Sequence, residues 1–169
     1  MKNTKNIEIY VVDNDWIFLK EFDNKFNPEL AFILHRKSSV EEFISELQAQ
    51  NNNNYTVVII NDMIISHGLN SKSVVDILPM IKNIDKDIAV IVLTDNANLE
   101  LKITSSELRP NAYIKKDNEL YFRLPHTINK IVCSYELKKD KRTLQIAIVI
   151  AVIIIALTVI LFVSASIIN

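Results

Sequence analysis

The sequence predicts a doubly wound α/β domain with a five-stranded parallel sheet, followed by one C-terminal transmembrane helix. Apolar runs that end directly in polar residues are typical of buried parallel strands. Between these runs, apolar residues recur at helical spacing, so strands and helices alternate along the chain. The stretch from Leu144 to Ile168 contains no charged residue. We therefore expect a folded domain at 1–138, a basic juxtamembrane segment at 139–143 and a transmembrane helix at 144–169.

The first half of the domain contains three predicted strands and two predicted helices. Phe18 and Phe22 lie at helical spacing after the first strand and predict the first helix. Ser39 and Glu42 form the pattern of a capping box, which predicts where the second helix begins. The amide-rich tract at 48–54 is too polar to pack and predicts a surface loop. The predicted elements are strands Ile7–Val12, Ala31–Leu34 and Tyr55–Ile60, and helices Asp15–Phe26 and Val40–Leu47.

The second half continues the alternation with two more strands and three more helices. Pro79 falls inside the third helical pattern and should kink or shorten that helix. Pro125 suits the first turn of the last helix, where its missing N–H costs nothing. No helix-breaking residue separates the last helix from the transmembrane stretch, so the two can form one rod. The predicted elements are strands Ile88–Leu93 and Ala112–Ile114, helix Ser73–Ile81, a weak short helix at Leu99–Leu108, and a helix from Pro125.

The uncharged stretch at the C-terminus predicts membrane insertion. A helix from Ile146 to Ile168 would be about 34 Å long at ~1.5 Å per residue, enough to cross a hydrocarbon core of ~30 Å. Soluble helices rarely run so far without a polar stripe, which disfavours a buried core helix. The basic residues that precede the stretch are Lys138, Lys139, Lys141 and Arg142.

The distribution of charge and apolar residues at the two ends of the chain predicts its topology. Because basic residues stay on the cytoplasmic side, we expect a single-pass protein of the cell membrane with its N-terminal domain in the cytoplasm. Only Asn169 follows the apolar stretch, so we expect a tail-anchored chain. The N-terminus lacks the apolar core of a signal peptide, which agrees with this orientation.

The composition excludes several classes of protein. The chain contains one glycine, whereas phosphate-binding loops and dinucleotide-binding motifs need several. Its three histidines are too scattered for a zinc site. The single cysteine, Cys133, rules out an intramolecular disulfide framework and fits a reducing compartment. A formal net charge of −1 gives no general argument for nucleic acid as a partner.

Polar side chains follow four of the predicted strands where each strand ends. Because parallel strands deliver their carboxyl ends to one edge of the sheet, we expect these side chains to meet. Two carboxylate positions, a hydroxyl and an ammonium would then form a site for a cation and a phosphoryl group. The residues concerned are Asp13 and Asp15, Asn61 and Asp62, Thr94, and Lys115 and Lys116.

These strand ends, in this order across five β/α units, resemble the receiver domain of bacterial response regulators, which has a flavodoxin-like fold. The resemblance covers about residues 6–138. It implies a Mg²⁺ site formed by Asp13, Asp15 and Asp62. It also implies that the domain receives a phosphoryl group from a histidine of a sensor kinase.

The resemblance implies further roles for residues around the same edge. Asp62 would be the phosphoacceptor, Thr94 would bond the phosphoryl oxygens and Lys116 would neutralise their charge. Tyr113 would be the aromatic switch residue that changes rotamer in that family. The chemistry suits these residue types, because a carboxylate attacks phosphorus while Mg²⁺ and an ammonium offset the charge on the oxygens.

The sequence departs from the family pattern in ways that leave the acceptor open. The residues upstream of the strand end place Asn61 at the acceptor position, whereas Met63 and Ile65 downstream favour Asp62. An amide cannot act as the nucleophile, and neighbouring strand residues face opposite sides of a sheet. Asn14 also replaces one of the usual acids, and Asp95 adds a carboxylate directly after Thr94.

We therefore expect a membrane-anchored atypical receiver protein in signal transduction, not an enzyme. It would accept a phosphoryl group at Asp62 or act as a pseudo-receiver through phosphorylation-independent contacts. The expected partners are a sensor histidine kinase or a membrane protein complex, the lipid bilayer and a second copy of the chain, but not nucleic acid. The alternative is a structural subunit of a membrane complex, whose span associates laterally through Ala147 and Ala151.

Overall fold

The structure of the protein is a computed structural model that describes residues 7–26, 32–49, 54–65, 71–95 and 109–168. The helix predicted at Leu99–Leu108 and most of the polar tract at 48–54 lie outside these residues. The chain divides into two compact units, 1–129 and 130–169. The described elements are β1 (Ile7–Val12), α1 (Trp16–Lys25), β2 (Phe32–Lys37), α2 (Val40–Ala49), β3 (Tyr55–Asn61), β4 (Met63–Ile65), β5 (Ser71–Ser73), α3 (Val74–Ile84), β6 (Ala89–Thr94), β7 (Ala112–Lys115) and α4 (Leu120–Ile168).

The first unit is built on a five-stranded parallel sheet with the strand order β2-β1-β3-β6-β7. This sheet and its flanking helices confirm the predicted fold class. The register pairs Val12 with Ile60 and Asn61 with Leu93. The carboxyl ends of the three central strands therefore lie side by side, and the polar residues that follow them converge at one edge.

The core lies between the sheet and its helices. The central strands are buried along almost their whole length because helices cover both faces of a parallel sheet. On one side, α2 and α3 contribute the apolar stripes that their spacing predicts. The helix residues in this cluster are Val40, Phe43, Ile44, Leu47, Val74, Ile77, Leu78 and Ile81.

Two strand predictions were incomplete. The predicted second strand ended at Leu34, but β2 continues to Lys37 because the backbone pairs with β1 as far as the Val12–Lys37 partners. The last three residues of β2 are basic or polar, so a prediction based on apolar residues did not include them. The antiparallel hairpin of β4 and β5 was not predicted.

Pro79 does not shorten the third helix. The predicted third helix ended at Ile81, but α3 contains Pro79 and continues to Ile84. Buried Ile77, Leu78 and Ile81 anchor it on the sheet, which stabilises the helix against the lost backbone bond.

The prediction that Pro125 lies in the first turn of the last helix was wrong, because α4 begins at Leu120. Asp117 sets this earlier start: its side chain accepts a hydrogen bond from the N–H of Glu119 at 3.0 Å, and its carbonyl accepts one from Leu120 at 3.0 Å. The turn that leads into Leu120 is therefore already fixed by these two hydrogen bonds.

The last helix is long and apolar enough to span a membrane. It runs without interruption through the basic segment into the uncharged stretch. Its apolar window has a mean hydropathy of 2.0, and none of that window is buried within the protein. By its length and composition the helix is therefore a candidate membrane span.

Candidate functional site

Asp13 is the centre of the polar residues that meet at the carboxyl edge of the sheet. Its side chain is 1% exposed. One carboxylate oxygen, Oδ2, accepts hydrogen bonds from Asn61 Nδ2 at 3.0 Å and from Lys116 Nζ at 2.9 Å. The other, Oδ1, accepts from the N–H of Asp15 at 2.9 Å. Both oxygens of this buried carboxylate are therefore bonded to protein donors.

Lys116 is positioned by its backbone and by an aromatic ring. Its N–H donates to the carbonyl of Thr94 at 3.3 Å, which ties the residue to the end of β6. Its ammonium lies 3.9 Å from the centre of the Phe18 ring, a cation–π contact. The sequence predicted the position of Lys116 but not the contact with Phe18, because the aromatic spacing of α1 predicted only core packing.

Asp62 has different partners from its neighbour Asn61. The Thr94 hydroxyl donates to Asp62 Oδ2 at 2.6 Å. The Asp62 N–H donates to the carbonyl of Leu93 at 2.9 Å, and its carbonyl accepts from Val74 at 3.0 Å. Adjacent residues at a strand end point in different directions, so Asn61 bonds Asp13 while Asp62 bonds Thr94. We call Asp13, Asn61, Asp62, Thr94 and Lys116 the strand-end cluster.

Asp15 acts as a helix cap in this structure. Its Oδ1 accepts hydrogen bonds from the N–H groups of Ile17 at 2.9 Å and Phe18 at 3.3 Å. These bonds satisfy donors that the first turn of α1 would otherwise leave without partners. Asn14 and Asp95 are exposed.

The three predicted Mg²⁺ ligands do not form a common site in the described arrangement. A cation site needs several oxygen atoms that face one point. Within the described residues, no group of three or more His, Cys, Asp or Glu side chains could hold a metal ion. Asp13 bonds Lys116, Asp15 caps α1 and Asp62 bonds Thr94. The ammonium of Lys116 supplies the positive charge beside Asp13, and the Mg²⁺ site stays a prediction.

Tyr113 lies on β7, next to the strand-end cluster. It is half-buried and packs against the core cluster beneath α2 and α3. In the sheet register it pairs with Val92. The predicted switch residue is thus part of the core packing, and its rotamer change stays a prediction.

A cleft of about 460 Å³ opens between α1 and the start of α4, on the side of Lys116. Its walls combine Phe18 and Leu120 with the charged side chains of Glu21 and Lys25. Tyr121 also lines it, and burial raises the pKa of its hydroxyl to about 12. Lys116 also lines this cleft, and its side chain is therefore partly exposed to solvent.

A second charged cluster, which the sequence did not predict, lies under α2. The ring of His35 stacks on Tyr10 at 4.5 Å, and its Nδ1 lies 3.4 Å from Glu46 Oε1. Tyr10 also donates to Glu46, at 3.2 Å. Lys37 forms an ion pair with Glu46, and Glu8, on β1, is buried with His35 Nε2 3.8 Å away. We call these five residues the α2 network.

The hydrogen bond between Lys37 and Glu46 shifts the titration of both groups. It holds the pKa of the Glu46 carboxyl below its ordinary value and raises the pKa of the Lys37 ammonium. The buried Glu8 in an apolar strand was the only sequence signal for this network, since a charged residue in a buried strand needs partners.

No protein-family model matches the sequence, and no curated protein matches it. Solved structures match it over 75% to 81% of its length. A response regulator receiver domain protein from Clostridium thermocellum is 24% identical, with a TM-score of 0.62, over 78% of this chain and 98% of that chain. A CheY-like receiver domain protein from Methanospirillum hungatei is 17% identical, with a TM-score of 0.62, over 79% of this chain and 99% of that chain.

A longer regulator matches over a smaller share of its own length. The RcsB response regulator of Salmonella typhimurium, in a structure described for DNA interaction, is 16% identical with a TM-score of 0.62. The match covers 78% of this chain and 61% of that chain. At these identities the likeness concerns the fold. The chain therefore has the fold of a response-regulator receiver domain, as the resemblance predicted, and carries a C-terminal apolar helix long enough to span a membrane.

Proposed function

We propose that this protein is a membrane-anchored signalling protein whose receiver domain works through protein contacts that do not require phosphorylation. The observation that carries the proposal is the position of Asn61. It lies at the end of β3 and bonds the buried carboxylate of Asp13, to which Lys116 is also bonded.

The chemistry at this position argues against phosphoryl acceptance. The amide nitrogen of Asn61 donates a hydrogen bond to Asp13, and it is a poor nucleophile toward phosphorus because its lone pair is delocalised into the carbonyl group. The positive charge of Lys116 lies directly beside the Asp13 carboxylate, which reduces the need for a cation at this edge of the sheet. The domain then offers a fixed surface to a partner rather than a surface that phosphate rearranges.

A second candidate function is phosphorylation of Asp62. The observation that favours it is the hydrogen bond from Thr94 to Asp62 at 2.6 Å, because a hydroxyl so placed could bond an oxygen of a phosphoryl group on that carboxylate. A carboxylate oxygen would attack phosphorus, and the bond from phosphorus to the donor would break.

The two candidates are separated by exposure to a small phosphodonor. The full chain, reconstituted in vesicles, would be incubated with acetyl phosphate and Mg²⁺ and its intact mass measured. We expect no added phosphoryl group on the wild-type chain. The Asn61→Asp variant, which restores a carboxylate beside Lys116, should gain a phosphoryl group, while Asn61→Ala serves as the control without one.

The opposite result would replace the first candidate with the second. A phosphoryl group on the wild-type chain that disappears in Asp62→Asn would establish Asp62 as the acceptor. Asp62→Ser should abolish it as well, since a serine hydroxyl is a poor substitute for the carboxylate nucleophile.

We further propose that α4 anchors the domain at the cytoplasmic face of the cell membrane. The basic residues before the apolar stretch support this orientation. Cys133 is exposed and precedes the stretch, so it reports the side of the membrane. In cells, a thiol reagent that cannot cross the membrane should leave Cys133 unlabelled until the membrane is permeabilised. Labelling of intact cells would contradict the proposed orientation.

The partner that this arrangement favours is a protein in the same membrane. A single span restricts the domain to a layer near the bilayer, which raises the effective concentration of any membrane partner. Crosslinking through Cys133 in native membranes should capture such a partner, and the same crosslink should be lost when the apolar stretch is deleted. The identity of the partner would decide between a kinase and a structural complex.

A further inference from the structure

We propose that the basic segment of α4 recruits anionic phospholipid headgroups from the membrane that the helix spans. The residues are Lys138, Lys139, Lys141 and Arg142, which we call the basic face. The inference rests on the proposed membrane anchor and adds a lipid partner to it. All four side chains are exposed.

The helix sets the depth of the basic face. Because α4 is continuous from the basic segment into the apolar stretch, each residue adds ~1.5 Å along the axis. Lys138 is thus about 9 Å and Arg142 about 3 Å before Leu144, where the uncharged stretch begins. The headgroup layer on each side of a bilayer is roughly 5–8 Å thick. The basic face therefore lies within and just above this layer.

The charges on this part of the helix are segregated by sign. At about 100° per residue, the four cations fall within one half of the helix circumference. Glu136 and Asp140 are four residues apart, so they share a stripe on the other half. A random order would mix the signs and cancel the field. This order gives the helix one cationic side to which anionic headgroups are attracted.

Membrane orientation does not require the charges to be segregated by sign on the helix. Orientation depends on the number of cations near the span and not on the side of the helix they occupy. Lipid recruitment depends on the local field, which is strongest on the cationic side and decays over a Debye length of ~8 Å. A polar face next to a span also lets long lysine and arginine side chains extend toward the headgroups.

The test uses Cys133, the single cysteine of the chain, as the site for a fluorescent donor. The full chain is reconstituted in phosphatidylcholine vesicles that contain some phosphatidylglycerol. Energy transfer is then measured to a trace of labelled phosphatidylglycerol or, in parallel, to labelled phosphatidylcholine. We expect at least ~3-fold enrichment of the anionic lipid around the donor, from the attraction of several cations at the surface.

Two matched variants identify the residues responsible. Lys138→Gln, Lys141→Gln and Arg142→Gln together should remove the enrichment. Removing two exposed lysines and one exposed arginine from the receiver domain, through Lys20→Gln, Lys86→Gln and Arg36→Gln, should leave it unchanged. Asp140→Asn should increase it, because the opposing carboxylate is lost.

Other outcomes would overturn the proposal. Equal transfer to both lipids, or an enrichment that survives in the basic-face variant, would mean that the basic face does not recruit lipid. Loss of the enrichment on addition of inorganic phosphate, at constant ionic strength, would mean that the segment binds free phosphate instead. Failure of the chain to float with phosphatidylcholine vesicles would refute the membrane anchor itself, which separates the two proposals.

Discussion

The strand-end cluster and the α2 network use the same chemistry at different depths. In each, a lysine forms an ion pair with a carboxylate from a different element: Lys116 with Asp13, and Lys37 with Glu46. The Asp13 side chain is 1% exposed, whereas that of Glu46 is 32% exposed. Water can replace a lost partner at Glu46 but not at Asp13. Burial therefore decides how much each pair matters.

The same comparison bears on function. A carboxylate that binds a metal ion or reacts with phosphate must be able to exchange its partners. Both carboxylate oxygens of Asp13 accept hydrogen bonds from protein donors, as in a structural network. The strand-end cluster thus has the position of a reactive site and the bonding of a structural one, which is the basis for the proposed pseudo-receiver.

The largest expected effect is on Lys116→Met. Loss of the ammonium leaves a buried charge at Asp13, which should lower the free energy of unfolding by ~3 kcal/mol. Lys37→Met, the matched change in the α2 network, should cost ~0.5 kcal/mol because its partners are partly solvated. Both losses would be measured by urea titration of the full chain in micelles, with pulse proteolysis as the readout. Equal losses of stability in the two variants would contradict the inference that burial decides how much each ion pair contributes.

The Asn61→Asp variant tests whether Lys116 replaces a metal ion. A second carboxylate beside Asp13 adds repulsion between like charges and removes a hydrogen bond, so we expect a loss of ~1–2 kcal/mol in the presence of a chelator. Mg²⁺ should restore part of this stability, because a ligand that binds only the folded state stabilises it. The wild-type chain should show no such dependence on Mg²⁺, and a dependence there would argue for a native metal site.

The sequence predicted the sheet because its strands are apolar and four of them are followed directly by polar residues, as after Val12 and Leu93. For the same reason it predicted that residues from these strand ends would meet. Hydrogen bonds connect Asn61 and Lys116 to Asp13, and Thr94 to Asp62, whereas Asp15 caps α1 and Lys115 is exposed. The sequence therefore predicted only part of this set. It could not decide between Asn61 and Asp62, because the choice depends on a one-residue register between β3 and its neighbours. The ion pair of Lys116 with Asp13 joins residues 103 positions apart, and no local pattern specifies such a contact.

The α2 network was missed for a related reason. Its members come from β1, β2 and α2, and each alone is an ordinary surface or strand residue. The pattern that located β2 used apolar residues, so it stopped at Leu34, one residue before His35. Elements with apolar periodicity were predictable, whereas polar contacts between distant elements were not.

A smaller effect is expected at the helix cap. Asp15→Ala removes the acceptor for the N–H groups of Ile17 and Phe18 and should cost ~1 kcal/mol. Asp15→Asn keeps an acceptor oxygen and should cost a few tenths of that. If Asp15 instead serves mainly as a metal ligand, the two variants should have equal effects on stability and both should abolish any response to Mg²⁺. The urea midpoint, with and without Mg²⁺, distinguishes these cases.

The smallest expected effect is the acid response of the α2 network. Because Lys37 lowers the pKa of Glu46, the folded state binds this proton less tightly than the unfolded state. The contribution of Glu46 is therefore complete above the ordinary glutamate value of ~4.3 and is lost as the pH falls through the lower pKa of the folded state. The raised pKa of Lys37 acts only at alkaline pH, since its contribution is complete below ~10.4.

The difference in unfolding free energy between the wild type and Glu46→Gln isolates this effect. It should be below ~1 kcal/mol, because the pair is partly exposed, and it should stay constant from pH ~7 to ~5 in a His35→Gln background, where Glu46 no longer faces an imidazole. Below that range it should shrink toward zero. A difference that persists at pH ~3 would mean that Glu46 contributes through packing rather than charge. In that case the two lysine pairs would differ in kind, and burial alone would not explain why Asp13 depends on its partner more than Glu46 does.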